Sequence, residues 1–469
     1  MSQVTSRPAR PPRPVAAPAP AAGAVPPSGQ LVPLPGSPVD GPRDRAAGAV
    51  FRSLFEGSPG RLRLAGVGAV LACLVFALLG AAALQARGNA LADANADATQ
   101  LIRVQQIATE VVRADSLLTN AFPTPDAETA DQVAQFNDGL SNAAQLIAEA
   151  AAANPADGAE LAQVSDALGQ YRQYATSARI FNKDGKQVAL GYLRQAGTAL
   201  RGSDEANPNL IVGTGMLPAL NDLIKASTDR VDSAYSASGW ATLEMIVADV
   251  VALGGLVLVQ VWLARRTRRY VNVPLVAATG GVLVVLIAGA FVMVGAQGRA
   301  TSVRDTSYTA LTSLADARIA ANAAKSDASI SFLYLRTGGS SASFQKDYKG
   351  QTDRVEASLR RAGTAAPSGT MADFTAWRAA ADPLAGTQPN DWPKVAAMLA
   401  DAGQAFNKPF LALDDKLKAG IAQEATKVDR GLGDGNAPLA VLGWLALVVG
   451  VVAAVVSWAG IAQRLEDYR

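Results

Sequence analysis

The stretch Leu64-Ala65-Gly66-Val67-Gly68-Ala69-Val70-Leu71-Ala72-Cys73-Leu74-Val75-Phe76-Ala77-Leu78-Leu79-Gly80-Ala81-Ala82-Ala83-Leu84 runs without one charged residue. As an α-helix rising about 1.5 Å per residue it covers about 30 Å, the thickness of a bilayer's hydrocarbon core. Arg61 and Arg63 precede it and Arg87 follows. The Ala81–Ala86 stretch has the small residues of a signal-peptidase site. The run is longer than a signal core, however, and follows a long N-terminal segment, so an uncleaved anchor is expected.

Three further apolar runs follow. The second, Ala241 to Ala264, is bracketed by Trp240 and Trp262, about 33 Å apart along a helix, which suits two interfacial aromatic belts. The third is Val273 to Ala296 and the fourth Pro438 to Ala462. The expected fold is therefore an all-α membrane protein with four transmembrane helices, at 64–84, 241–264, 273–296 and 438–462.

Arginines orient these spans. Eight Arg and no Lys lie at or before Arg63, and Arg265, Arg266, Arg268 and Arg269 fill the short turn 265–272. The positive-inside rule puts both regions in the cytoplasm, with the C-terminal residues 463–469 on the same side. The four turn arginines are primarily topogenic and attract anionic lipid headgroups, with a cytoplasmic partner as the alternative use. Residues 1–60, rich in Pro, Ala and Arg, lack apolar periodicity and read as a disordered cytoplasmic tail. Residues 85–240 and 297–437 then lie outside. The first carries 18 acidic and 11 basic residues, the second 15 and 17.

Both outer segments read as antiparallel helix bundles, being rich in Ala, Gln, Leu and charge with helix-period apolar positions. The first helix is expected to leave the membrane and run through Leu101, Val104, Ile107, Val111 and Leu118 to Phe122. Pro123-Thr124-Pro125 breaks it, with Thr124 as N-cap and Pro125 as the first helical residue of the next helix. Further breaks are expected at Asn154-Pro155 and at Asn182-Lys183-Asp184-Gly185, and a last helix starts near Leu217. The second half reads as a divergent copy of the first. Ile107, Ala108, Arg113 and Asp115 match Ile319, Ala320, Lys325 and Asp327 at one offset of 212, which also carries Leu84 onto Ala296. The repeating unit is span, bundle, span.

The absences restrict the chemistry. The chain has no histidine and one cysteine, Cys73. That excludes a Ser-His-Asp triad, a histidine zinc site, a histidine phosphorelay residue within the chain and an intramolecular disulfide. No P-loop, dinucleotide fingerprint or nucleophile elbow is present. A formal charge of +2 gives no support for nucleic-acid binding. No enzyme activity, cofactor or metal is expected.

Two places are candidate sites. Asp249 falls near the middle of the second span, where a carboxylate costs at least about 2.5 kcal/mol unless protonated or paired. It is either a polar contact inside the membrane bundle or, if the span sits further inward, a headgroup-level residue. Glu244 lies nearer the interface. Arg179, Asn182, Lys183, Lys186, Tyr192 and Arg194 concentrate positive charge and one aromatic ring in an acidic segment. They read either as a site for an acidic ligand or partner, or as a solvated turn.

Asn182-Lys183-Asp184-Gly185, Tyr192-Leu193-Arg194-Gln195-Ala196 and Arg265-Arg266-Thr267-Arg268-Arg269-Tyr270-Val271-Asn272-Val273-Pro274-Leu275 resemble the GlnX-type actinobacterial membrane proteins. These have four spans and two outer helical domains. They are encoded with a glutamine/glutamate-binding lipoprotein of the GlnH type and a serine/threonine kinase of the PknG type. The resemblance implies a relay that passes an amino-acid signal from the lipoprotein outside to the kinase inside. It carries no binding residues over. A structural or assembly protein of the cell envelope, with the bundles as docking surfaces, is the alternative. A transporter is a weaker third, and a homo-oligomer stays open.

Overall fold

Ala-rich sequence with few β-branched runs folds here into long helices. The computed structural model describes residues 58–123, 128–184, 188–204, 207–211, 215–267, 273–336, 342–385, 398–399, 405–433 and 436–466. Residues 1–57 of the N-terminal tail, Thr124 and Pro125, Lys186, and Arg268 and Arg269 lie outside the described residues, and the last three tail residues, 58–60, are helical.

Helix α1, Ser58–Ala121, is one uninterrupted helix of 64 residues, about 96 Å long. Helix α2 (Ala130–Ala153), a 3₁₀ turn at Pro155–Asp157, α3 (Gly158–Lys183) and α4 (Val188–Arg201) follow. A small antiparallel hairpin, β1 (Ser203–Asp204) with β2 (Asn207–Ile211), leads towards α5 (Met216–Thr267). The second half has α6 (Val273–Val303), a π-turn at Arg304–Tyr308, α7 (Thr309–Arg336), α8 (Ala342–Ala362), α9 (Thr370–Ala385), α10 (Asn407–Gly433) and α11 (Asn436–Glu466).

Helix α2 does not start at the position expected from Thr124 and Pro125. It starts at Ala130, with Thr129 as N-cap in a full capping box with Gln132. The Thr129 hydroxyl accepts from the Gln132 N–H at 3.2 Å, and the Gln132 amide oxygen accepts from the Thr129 N–H at 2.9 Å. Two otherwise unpaired backbone donors are thereby satisfied.

Helices α1 and α5 run antiparallel along their whole contact. Ala69 and Cys73 share a core with Leu256, Leu91 and Leu101 one with Val231 and Tyr235, and Val104 and Ile107 one with Leu220 and Leu223. Helix α11 lies antiparallel against the apolar part of α1. Gly66 meets Ile461, Cys73 approaches Ser457, and Gly450 sits against Ala77. Gly450 makes the closest of these approaches, as small residues do where helices pack in a bilayer.

Among the described residues, three helices are long and apolar enough to cross a membrane, within Arg63–Ala121, Val273–Tyr334 and Leu439–Gln463. A shorter apolar stretch, Leu253–Trp262, lies in α5. Large apolar side chains face outward on these helices: Leu78 is 62% exposed, Val284 66% and Phe291 77%. An apolar exterior around an apolar interior is the signature of a lipid-facing helix bundle.

Beyond the apolar segments of these helices, two cores form. In the first bundle α1 to α5 enclose Ile107, Val111, Leu161, Tyr171 and Leu193. In the second, Trp377 is fully buried among Tyr348, Phe374, Phe406 and Phe410. The second bundle's helix starts echo the first: α8 begins at Ala342 and α9 at Thr370, each 212 positions beyond the starts of α2 and α3.

Candidate functional site

The last two turns of α3 bring three of the expected residues together at the far end of α1. Arg179 pairs with Glu128, and its guanidinium lies over the Phe136 ring at 4.2 Å. Lys183 Nζ stands 3.9 Å from the other Glu128 oxygen. Asn182 donates to the Phe122 carbonyl at 2.8 Å, satisfying an acceptor where α1 ends. Tyr192 on α4 stacks on Phe181, ring centres 5.2 Å apart. The space enclosed by Leu118, Phe122, Glu128, Arg179 and Lys183 is only about 10 Å³, roughly that of one water. Glu128, which the sequence does not single out, neutralises the Arg179 charge. Lys183 and Arg194 keep exposed side chains.

Glu244 and Asp249 lie within the continuous α5 helix, and their side chains are outside those described. Arg265 is exposed near the end of α5, with Arg266 next to it in the helix.

A second polar constellation joins the two bundles along α1 and α7. Asp115 on α1, 2% exposed, accepts from the Tyr171 hydroxyl at 3.1 Å, from Arg201 at 3.2 Å and from Ser326 at 2.7 Å. Arg201 also reaches Asp327 at 3.7 Å. Burial and then the Asp115 carboxylate push the Tyr171 hydroxyl well above its ordinary range, so it stays protonated and donates.

One turn or more away, Arg318 clasps Asp414 through two hydrogen bonds of 2.7 and 2.9 Å, and Asn322 adds a third at 3.2 Å. Burial alone would raise the Asp414 carboxyl; the Arg318 hydrogen bonds and charge outweigh it and hold the carboxyl below its ordinary value. Lys325 is buried with its ammonium 4.3 Å from the Phe410 ring centre. Burial pushes its pKa down to about 7.

Between this seam and α2 opens a cleft of about 350 Å³. Helices α1 and α2 of the first bundle and α7 and α10 of the second supply its walls. Sequence reasoning missed it because its walls come from segments far apart in the chain. Among the described residues, no group of three His, Cys, Asp or Glu side chains is placed to hold a metal ion.

Apolar helices carrying helical bundles define the class: an all-α membrane protein. Residues 88–236 match the family model described as an actinobacterial sensor domain. The match starts in α1 and ends in α5, and so takes in the whole of the first bundle. That bundle is similar to an actinobacterial sensor domain, over about a third of the chain. No curated protein matches the chain.

Proposed function

We propose that this chain is a non-enzymatic transmembrane signal relay. In this reading the two bundles are extracytoplasmic and α5 supplies a fourth span. The N-terminal tail, the 265–272 turn and the C-terminus are cytoplasmic, and the two halves are tandem copies of one unit. The signal is an amino acid of the glutamate/glutamine type, delivered by a binding lipoprotein, and the receiver is a cytoplasmic serine/threonine kinase.

The observation that carries the reading is α1 itself. One unbroken helix joins the apolar segment below to the sensor bundle above, and α5 returns alongside it without a break. A rotation or sliding of the bundle at one end is therefore delivered to the other end as a rigid displacement. The sensor-domain match over residues 88–236 supports the input. The recurrence of helix starts at an offset of 212 supports duplication. Lys183 and Arg194, exposed on the first bundle, suit an acidic surface on the lipoprotein.

The test is phosphorylation of the kinase's substrates in cells with and without this chain, before and after supplying glutamate or glutamine. The relay predicts a response that disappears on deletion and returns with the wild-type chain. A response that survives deletion overturns it. Co-purification separates the envelope-scaffold reading, which predicts recovery of wall or envelope proteins without a solute-binding lipoprotein or a kinase.

A further inference from the structure

The 350 Å³ cleft between the bundles has a composition unlike that of an accidental gap. Its floor is apolar, with Ile102, Leu146 and Ile421. The first bundle contributes the carboxylates Glu110 and Glu149, and the second contributes the cations Arg318 and Lys418. Opposite charges thus stand on opposite walls, with the side-chain amides of Gln105 and Asn142 also lining the space. The volume lies at the low end of the range for small-molecule sites, roughly 300–1,000 Å³, and is an order of magnitude above that of a single water.

The charged groups are not used up by one another. Glu110 Oε2 accepts no hydrogen bond among the described residues and forms a loose ion pair with Arg113 at 3.8 Å. Lys418 makes no ion pair among the described residues. Arg318 spends Nε and one terminal nitrogen on Asp414, a commitment that fixes the guanidinium plane at the cleft wall. Glu110 is ion-paired with Arg113 on its own helix and is partly exposed at the cleft wall, where it can take a further cation.

We propose that this cleft binds a small zwitterion, a free α-amino acid, with its ammonium towards Glu110 and its carboxylate towards Lys418 and Arg318. The placement of the charges requires both halves of the ligand. A simple cation meets the basic wall, and a simple anion meets the acidic wall. Because each bundle supplies one charge sign, the complete site exists only while α1 and α2 face α7 and α10. The ligand therefore favours the arrangement in which the bundles are packed, by its differential affinity for that state. Helix α1 carries this preference directly into the apolar region. The choice of an amino acid as the physiological zwitterion rests on the relay reading; the charge complementarity does not.

Calorimetry on the full chain in detergent or nanodiscs, without any lipoprotein, tests the site. The probes are L-glutamine and L-alanine, with propionate and ethylamine as the two separated halves of the latter. Saturable binding of at least one amino acid is expected, with no heat from either half. Glu110→Gln and Lys418→Gln are each expected to weaken binding by roughly tenfold or more, while Lys346→Gln, exposed on α8 and not lining the cleft, leaves it unchanged. Lys418 is exposed, so its variant keeps the test valid if Glu110→Gln fails to fold. Absence of saturable binding by both amino acids overturns the proposal, as does binding indifferent to Lys418→Gln. A kinase response that persists in the Lys418→Gln variant also counts against the cleft and leaves the relay standing. A response lost only on deletion of the whole chain does the same.

Discussion

Ser326 on α7 donates a 2.7 Å hydrogen bond to the Asp115 carboxylate on α1, joining residues 211 apart in the sequence. This contact is where the two bundles share a buried charge. Tyr171 and Arg201 complete the ring of donors around Asp115. Asp115→Ala strands a tyrosine hydroxyl and a guanidinium, and an expected loss of about 2–4 kcal/mol follows. Ser326→Ala loses about 1 kcal/mol. The double variant is expected to lose less than the sum, with a coupling of about 0.5–1.5 kcal/mol. Chemical unfolding of the four proteins measures it; strict additivity refutes the direct contact.

Arg230 on α5 clasps Asp157 with hydrogen bonds of 3.1 and 2.9 Å, and its Nε reaches Asp97 on α1 at 3.1 Å. Asp157 sits in the 3₁₀ turn between α2 and α3, where Gln100 and Asn154 also donate to it. One guanidinium therefore ties the α2–α3 turn to both long helices. Arg230→Leu leaves the Asp157 carboxylate buried without its cation. The expected cost is about 3 kcal/mol, with faster hydrogen exchange in α2 and α3. Arg230→Lys keeps the charge but not the paired geometry, and recovers only part. A Leu variant as stable as wild type would show that the clasp is idle.

The long helices were readable because their signals are local. A charge-free run of membrane length, helix-period apolar residues from Leu101 to Phe122, and Asn154-Pro155 each act over one or a few turns. Helix α2 indeed ends at Ala153, and α5 begins at Met216, next to the expected Leu217. The start of α2 was misplaced for the same reason: two N-cap signals lie five residues apart. Thr129 wins because Gln132 completes a reciprocal box that Thr124 lacks. The polar seam was half visible. Asp115 stands four residues after Val111 and three before Leu118, on the apolar stripe of α1, and a carboxylate there needs a buried partner. Which partner it takes depends on α7 packing across from it, which no local pattern encodes. The same holds for Glu110 and Lys418, which resemble solvated surface charges until the bundles are brought together.

In α11, Gly450 is the point of closest approach to α1. A Cβ there would run into Ala77 and lie 3.1 Å from both the Ala77 Cα and the Cys73 carbonyl oxygen. Those are backbone atoms of a rigid helix, so the clash cannot be relieved by a rotamer change. Gly450→Leu is expected to separate α1 from α11 and to cost about 1–3 kcal/mol or more. Gly68, in the same membrane region of α1, has open space around it, and Gly68→Leu is expected to be tolerated. Thermal inactivation in one detergent ranks the two. Equal midpoints would place α11 elsewhere.

Lys325 gives a pH dependence with a definite sign. Its ordinary pKa of 10.5 falls to about 7 in the fold, through burial first, with Asp414 opposing and Arg113 reinforcing the drop. Between those two values the unfolded chain holds a proton that the folded chain does not. Stability from this group therefore rises as pH is raised from 7 towards 10.5, and does not change further below 7. Between pH 7 and pH 9 the gain is on the order of 2 kcal/mol. Lys325→Met keeps the packing against Phe406 and Phe410 without the proton equilibrium. It is expected to be more stable than wild type at pH 7 and to lose this share of the rise towards pH 9. Unfolding midpoints of both proteins at the two pH values decide it. Parallel pH profiles would mean that Lys325 keeps its proton in the fold, its charge held by the Phe410 ring face rather than given up to burial.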